Sequence, residues 1–124
     1  QNFVNTMLKL AKEKDTLKVV NDQIGNPTSA RALAEMIENL MQTHNYGVYH
    51  GTCEGMCTWY DFAKEIFKIM GINIDVIPVS TEEFPRPAKR PKYSVLENYM
   101  LKQTGIYKFP DWKEEIKKFL SKLK

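Results

Sequence analysis

Thr58-Trp59-Tyr60-Asp61-Phe62-Ala63-Lys64-Glu65-Ile66-Phe67-Lys68-Ile69-Met70-Gly71 runs straight into Ile72-Asn73-Ile74-Asp75-Val76-Ile77-Pro78-Val79, and the hydrophobic period changes at the glycine. Before Gly71, the residues Trp59, Phe62, Ala63, Ile66, Phe67 and Met70 recur at helical spacing and mark one face of an α-helix. Thr58-x-x-Asp61 is a capping-box start, in which hydroxyl and carboxylate satisfy each other's backbone donors, and Gly71 supplies a left-handed stop. After it, Ile72, Ile74 and Val76 alternate with Asn73 and Asp75, the period of a strand. Pro78 has no N–H to donate and confines that strand to an edge or a terminus.

Reading outward, Phe3, Val4, Met7, Leu8 and Ala11 share a helical face whose wet side holds Lys9, Lys12 and Glu13. Leu17-Lys18-Val19-Val20 is strand-like and stops at Asn21-Asp22. A Gly25-Asn26-Pro27-Thr28 turn follows. Thr28 or Ser29 then caps a helix carrying Ala30, Leu33, Ala34, Ile37, Leu40 and Met41, which His44 closes near its C-terminus. Gly47-Val48-Tyr49-His50-Gly51 reads as a strand between glycines. Towards the C-terminus, Ser94-x-x-Glu97 caps a short helix with Leu96 and Met100, ending near Gly105. A last helix after Pro110 aligns Trp112, Ile116, Phe119, Leu120 and Leu123. The layout is α+β, with about five helices and three short strands in one domain spanning 1–124, since 124 residues support a single core.

Composition excludes whole classes. Hydrophobic residues at 43% and charged residues at 27% describe a folded domain, and no apolar run approaches the roughly 18 residues that span a bilayer, so no membrane partner is expected. Cys53 and Cys57 are too few for a disulfide scaffold, and Asn26-Pro27-Thr28 is barred from glycosylation by its proline, which points to a cytoplasmic setting. Starting at Gln1 without a leader-like segment, the chain reads as a piece of something longer. The net charge of +3 hides an asymmetry: residues 1–85 carry 7 basic and 11 acidic side chains, residues 86–124 carry 11 and 4. No Gly-x-Gly-x-x-Gly, Gly-Lys-Thr, His-Glu-x-x-His or Gly-x-Ser-x-Gly motif occurs.

Two clusters invite chemistry. His50-x-x-Cys53-x-x-x-Cys57, with His44 near, offers soft metal ligands, but at a spacing foreign to zinc knuckles; two small buried cysteines are the simpler reading. Residues 84–93, Phe-Pro-Arg-Pro-Ala-Lys-Arg-Pro-Lys-Tyr, hold three prolines and four cations and must form an extended loop. Arg86 and Arg90 are thereby displayed on a stiff segment, and guanidinium forks match phosphate oxygens bidentately. The competing reading is a solvated surface loop. The lysines of the last helix surround a narrow apolar stripe, as on a helix docked to its own core, and no aromatic-interleaved basic face for nucleic acid is evident.

Asn2-Phe3-Val4, Val20-Asn21-Asp22-Gln23-Ile24-Gly25-Asn26-Pro27-Thr28, Gly47-Val48-Tyr49-His50, Thr58-Trp59-Tyr60-Asp61-Phe62-Ala63 and Arg90-Pro91-Lys92-Tyr93-Ser94-Val95-Leu96 occur in the order and at the intervals of one family's C-terminal half. The chain resembles the dTDP-4-dehydrorhamnose reductases over nearly its whole length. The resemblance implies an extended short-chain dehydrogenase/reductase in which an N-terminal Rossmann domain binds NADPH or NADH and a smaller C-terminal domain holds the substrate. The implied reaction is hydride transfer to the C4 keto group of dTDP-4-dehydro-L-rhamnose, giving dTDP-L-rhamnose, with Mg²⁺ a cofactor of some members and a homodimer one implied assembly. The catalytic Tyr-x-x-x-Lys pair and glycine-rich fingerprint belong to the absent half. Tyr60 and Lys64 share that spacing but lie on a core helix. On the residues present, the resemblance puts Asn2 and Arg90 beside the diphosphate and Gln23 and Thr28 towards the sugar, while Asn26 stands where relatives often carry an Arg. It also leaves room for a non-catalytic module like the regulatory subunit of methionine adenosyltransferase, or for the substrate domain of another nucleotide-sugar reductase or epimerase. An intact Tyr-x-x-x-Lys upstream of Gln1 would favour the enzyme.

Overall fold

The structure is a computed structural model and describes residues 2–123. The elements are α1 (Phe3–Glu13), β1 (Thr16–Val20), β2 (Ile24–Gly25), α2 (Ala30–Met41), β3 (Cys57–Thr58), α3 (Trp59–Met70), β4 (Asp75–Val79), α4 (Tyr99–Thr104) and α5 (Trp112–Ser121). β1 and β4 pair in parallel from Thr16 opposite Asp75 to Val20 opposite Val79. β2 and β3 form a two-residue antiparallel pair, Ile24 opposite Thr58 and Gly25 opposite Cys57. The α+β layout with five helices stands as expected.

α3 is the centre. Its capping box is complete: Thr58 Oγ1 accepts from Asp61 N–H at 3.1 Å and Asp61 Oδ2 accepts from Thr58 N–H at 3.2 Å. Gly71 ends it at φ 66°. Phe62, Ala63, Ile66 and Phe67 are buried, and the Phe62 ring stacks on Phe3 of α1 at 5.4 Å and meets Trp112 of α5 edge-on at 5.7 Å. One aromatic side chain thus ties three helices together.

Several sequence expectations are corrected. Residues 47–51 form no strand; they run as an extended connection with no partner strand, and Gly51 is pressed against Met36 and Phe109. The strand after Gly71 begins at Asp75 rather than Ile72. Of the two caps expected for α2, Ser29 serves, accepting from Ala32 N–H at 3.0 Å; α2 ends at Met41, so His44 closes nothing. Ala32 and Met36 carry the buried face of α2, with Leu33 and Leu40 packed beside them, while Ile37 and Met41 are exposed: the helix turns its Met36 side to Gly51 and Phe109. Ser94 caps no helix: residues 92–94 are drawn into pairing with Ile24, so α4 starts at Tyr99 and buries Leu101 instead of Leu96 or Met100. Asn98, at its N-cap, uses its buried amide elsewhere, accepting from Thr52 N–H at 3.0 Å and donating to Thr52 O at 2.7 Å. Leu123 lies past the end of α5 and is exposed.

Glu115 on α5 is 4% exposed and accepts from Ser29 Oγ at 2.6 Å, Arg31 Nη2 at 2.6 Å and Lys118 Nζ at 3.2 Å. Burial works to raise its carboxyl, but the bonds from Ser29, Lys118 and Arg31 outweigh it and hold the group below the usual carboxylate range. A depressed folded value stabilises above the unfolded value and ceases to do so as pH falls through the folded one. Glu115→Gln is therefore expected to cost about 1.5–3 kcal/mol at pH 7, the worth of hydrogen bonds to a charged group, with the difference from wild type shrinking below about pH 4. Urea titrations of both proteins at pH 7 and pH 3 check this. At Gly55 φ is +81°, and a Cβ would stand 2.7 Å from Asp111 Oδ2 and 2.9 Å from Trp112 Cδ1. Gly55→Ala is expected to destabilise by about 1–3 kcal/mol through that strain, visible as a lower Tm.

Candidate functional site

Ile24 has a neighbouring segment on each side of its short strand. On one side it faces Thr58; on the other its N–H donates to Lys92 O at 2.8 Å and its carbonyl accepts from Ser94 N–H at 2.9 Å. Tyr93 thereby lies alongside β2 as a third, parallel member. This pairing brings the proline-arginine loop to the β1–β2 turn and makes one surface of segments around residues 24, 57 and 93.

The other end of that loop is held just as close by. Asp22 accepts from Thr81 N–H with both carboxylate oxygens, at 3.1 and 3.0 Å, and from Thr81 Oγ1 at 2.6 Å. Gln23 Nε2 donates to the same hydroxyl at 3.1 Å. The hydroxyl of Thr81 first, then its amide, hold the Asp22 carboxyl below its usual range. Between Thr81 and the paired residues 92–94 the chain is an arch of exposed residues stiffened by Pro85, Pro87 and Pro91.

Arg90 stands on this arch. Among the described residues neither Arg86 nor Arg90 makes a hydrogen bond or an ion pair, so both forks face solvent unspent. Gln23 is brought to the foot of the arch, with its amide N–H engaged by Thr81 and its carbonyl oxygen left to accept. Thr28 is tied into the scaffold: its hydroxyl donates to Asn26 O at 3.0 Å and accepts from Cys53 N–H at 3.1 Å. With its proton committed, Thr28 is left as an acceptor only. Asn26, which stands where a second cationic clamp was in question, is a bracket: Nδ2 donates to Gly55 O at 2.7 Å and Oδ1 accepts from Leu96 N–H at 2.8 Å. Asn2 caps α1, accepting from Asn5 N–H at 2.9 Å, and no hydrogen bond joins it to Gln23, Thr28 or Arg90. It adjoins the surface through Phe3, whose ring lies 4.8 Å from the half-exposed Trp59 at the start of α3.

Asp22 and Thr81 were not legible as site residues, being 59 positions apart; the only signal was the acid placed directly before Gln23. The exposed Met56 and Tyr93, joined by a weak O–H to sulfur contact at 3.9 Å, were likewise unremarked.

The competing chemistries find little support. Cys53 and Cys57 are buried free thiols, and burial pushes Cys57 up to about 12, far from a ligating thiolate. Among the described residues no group of three or more His, Cys, Asp or Glu is placed to hold a metal ion, so Mg²⁺ has no donor set here. A dinucleotide has none either, for want of a glycine-rich strand-to-helix turn. Tyr60 and Lys64 form a cation–π contact, Nζ 5.3 Å from the ring centre. Among the described residues no helix is long and apolar enough to cross a membrane.

A family model described as the RmlD substrate binding domain matches residues 1–124. The spore coat polysaccharide biosynthesis protein SpsK of Bacillus subtilis is 42% identical over 119 residues, 96% of this chain and 41% of that protein. A dTDP-4-dehydrorhamnose reductase of Escherichia coli is 36% identical over 98% of this chain and 44% of its own length. Among solved structures, a dTDP-4-dehydrorhamnose reductase of Clostridium acetobutylicum superposes with TM-score 0.96 at 54% identity, covering 99% of this chain and 44% of that one. One from Bacillus anthracis, in complex with NADP, gives 0.95 at 44% identity, covering 98% and 43%. The chain spans about two-fifths of the length of the relatives it matches.

The bonds of Thr28 make its hydroxyl part of the scaffold. Thr28→Val is expected to lower stability by about 1–2 kcal/mol, the net worth of two hydrogen bonds, and Thr28→Ser to restore most of it; urea midpoints with an unchanged slope check this, and an unshifted valine midpoint would return Thr28 to a purely ligand-facing role.

Proposed function

This chain belongs to the RmlD substrate binding domain family, and from that premise we propose that it forms the nucleotide-sugar-binding part of an NAD(P)H-dependent dTDP-4-dehydrorhamnose reductase, catalytically inactive on its own. The observation that carries this reading is the unpaired Arg90 fork on an arch pinned at both ends to residues 22–24. A diphosphate needs charge-assisted donors held in advance of binding, and a stiff segment lowers the ordering cost of presenting them.

On this reading Arg90 grips the diphosphate, and Asn2, at the cap of α1, shares the grip. Gln23 and Thr28 each offer an acceptor to sugar hydroxyls. When bound in its own N-terminal Rossmann domain, the nicotinamide supplies hydride. The residues of this chain hold the substrate still against it and exclude alternative poses. The NADP complex of the Bacillus anthracis relative supports the cofactor class. Two buried, unpaired cysteines support a cytoplasmic parent. A homodimer of the parent rests on the resemblance alone. A second reading concerns the sugar: a Streptomyces niveus dTDP-4-keto-6-deoxy-D-glucose reductase is 35% identical over 112 residues, so a different 4-keto sugar on the same nucleotide fits the same grip.

In the full-length protein, Arg90→Ala is expected to raise KM for dTDP-4-dehydro-L-rhamnose by about 10-fold to 150-fold, the equivalent of roughly 1.5–3 kcal/mol for a charged hydrogen bond, with kcat changed far less. Steady-state kinetics with both dTDP-4-keto sugars check it; an unchanged KM would sink the role of Arg90, and a preference for the second sugar would favour the second reading.

A further inference from the structure

The arch bearing Arg90 leaves the body of the domain at one residue. From 82 to 94 every residue is exposed, so no side chain packs the arch down. Its own contacts near the entry are local: Glu83 Oε2 accepts from Ser80 N–H at 2.7 Å, and Phe84 N–H donates to Thr81 O at 3.2 Å. The exit is held by main-chain bonds between Ile24 and residues 92 and 94, which side-chain substitution barely alters. Side-chain bonds add to the exit, Ser94 Oγ donating to Ile24 O at 3.2 Å and Leu96 N–H to Asn26 Oδ1 at 2.8 Å, but the entry is held chiefly by side-chain chemistry: Thr81 donates to Asp22 from both its amide and its hydroxyl.

The chemistry of that junction is specific. Thr81 presents two donors, its amide and its hydroxyl, to one side chain. A carboxylate accepts from both at once; an amide of the same shape accepts with its oxygen and sets an N–H against the other donor. The low-lying carboxyl of Asp22 keeps this acceptor charged at neutral pH. Gln23, the next residue, donates to the same hydroxyl, so Thr81 is fixed from two consecutive positions. Pro85, Pro87 and Pro91 make the span stiff, so a shift at Thr81 is transmitted along it to Arg90.

We propose that Asp22 is a positioning residue for substrate binding: by holding Thr81 through two acceptors it sets the entry of the arch, and so the place where the Arg90 fork meets a nucleoside diphosphate. This rests on the reading of Arg90 as the diphosphate contact, and the test separates the two. In the full-length reductase, with dTDP as the probe, Kd is measured by calorimetry beside KM, kcat and Tm for Asp22→Asn, Thr81→Val, Thr81→Ser, Arg90→Ala and the Asp22→Asn/Arg90→Ala double variant. Asp22→Asn and Thr81→Val are each expected to raise Kd about threefold to tenfold, the scale of one misplaced hydrogen bond, and KM in parallel, with kcat within about twofold. Thr81→Ser keeps both donors and is expected to bind as wild type. In the Arg90→Ala background, Asp22→Asn is expected to have no further effect, because it acts through a fork that is gone.

Unchanged binding in Asp22→Asn and Thr81→Val while Arg90→Ala weakens it would overturn the positioning role and leave the reading of Arg90 intact. Full additivity in the double variant would also overturn it, since Asp22 would then act by another route. Unchanged binding in Arg90→Ala would remove the diphosphate contact itself and the proposal with it. Should Asp22→Asn lower Tm enough to unfold the protein at assay temperature, Thr81→Val against Thr81→Ser carries the same comparison without touching the carboxylate.

Discussion

Ile24 lies between β3 and the segment 92–94, opposite Thr58 on one side and hydrogen-bonded to Lys92 and Ser94 on the other, and the candidate site depends on it. Its strand is two residues long and has no apolar alternation of its own, yet it gathers Thr58 on one edge and Lys92, Tyr93 and Ser94 on the other. At about 1 kcal/mol net per hydrogen bond, this pairing supplies little stability. What it supplies is register: the end of β1, the start of α3 and the end of the arginine arch are locked to one another. Gly25 shows how close the approach is, since a Cβ there would lie 3.1 Å from Ser94 Oγ. A larger residue at 25 would have to displace the Ser94 hydroxyl from its place against Ile24 O.

Stability has a different origin, in the aromatic contacts of Phe3, Phe62 and Trp112 and the fully buried Ile66, Leu101 and Leu120. The buried carboxylate of Glu115 ties this core to α2 by gripping the cap residue Ser29 and the exposed Arg31. The division is physically sensible. A packed core tolerates little movement, and the site is built on turns that leave it at fixed points: Thr28 bonded to Cys53, Asn26 bonded to Gly55 and Leu96, Asp22 bonded to Thr81.

What the sequence disclosed follows the same division. α3, with a cap, a clean period and a glycine stop, was legible to the residue, and α1, α5 and the exposed proline-arginine loop were legible as elements, though Leu123 falls beyond α5. The two-residue strands were not, because Gly25 and Cys57 carry no periodic signal and their pairing is decided by chain segments more than 30 residues apart. The strand expected at residues 47–51 has the right composition but no partner, and composition cannot see a partner. Ser94 illustrates the same failure in reverse: a sound capping signal lost to a sheet contact with Ile24. Of the candidate residues, the exposure of Arg90 followed from loop chemistry, since a segment with three prolines does not bury itself. The scaffold duty of Thr28 and Asn26 was hidden, since it is spent on residues 25 and 29 or more positions away.

The basic character of the last third also divides once its partners are known. Lys118 is paired with Glu115, and Lys102 with Glu54 and Glu97, while Lys113 lies over the Trp112 ring. Arg86, Lys89, Arg90 and Lys92 crowd a ten-residue arch with no ion pair among the described residues. Like charges on adjacent positions of so short a span, Lys89 beside Arg90 above all, repel one another. A flexible loop would relieve that repulsion by extending. This one is pinned at Thr81 and at residues 92–94 and stiffened by prolines, so the repulsion stays until an anion enters. A multiply charged, compact partner such as a diphosphate relieves more of it than a single carboxylate, and this is the physical ground for proposing the arch, rather than the lysine face of α5, as the nucleotide-binding part.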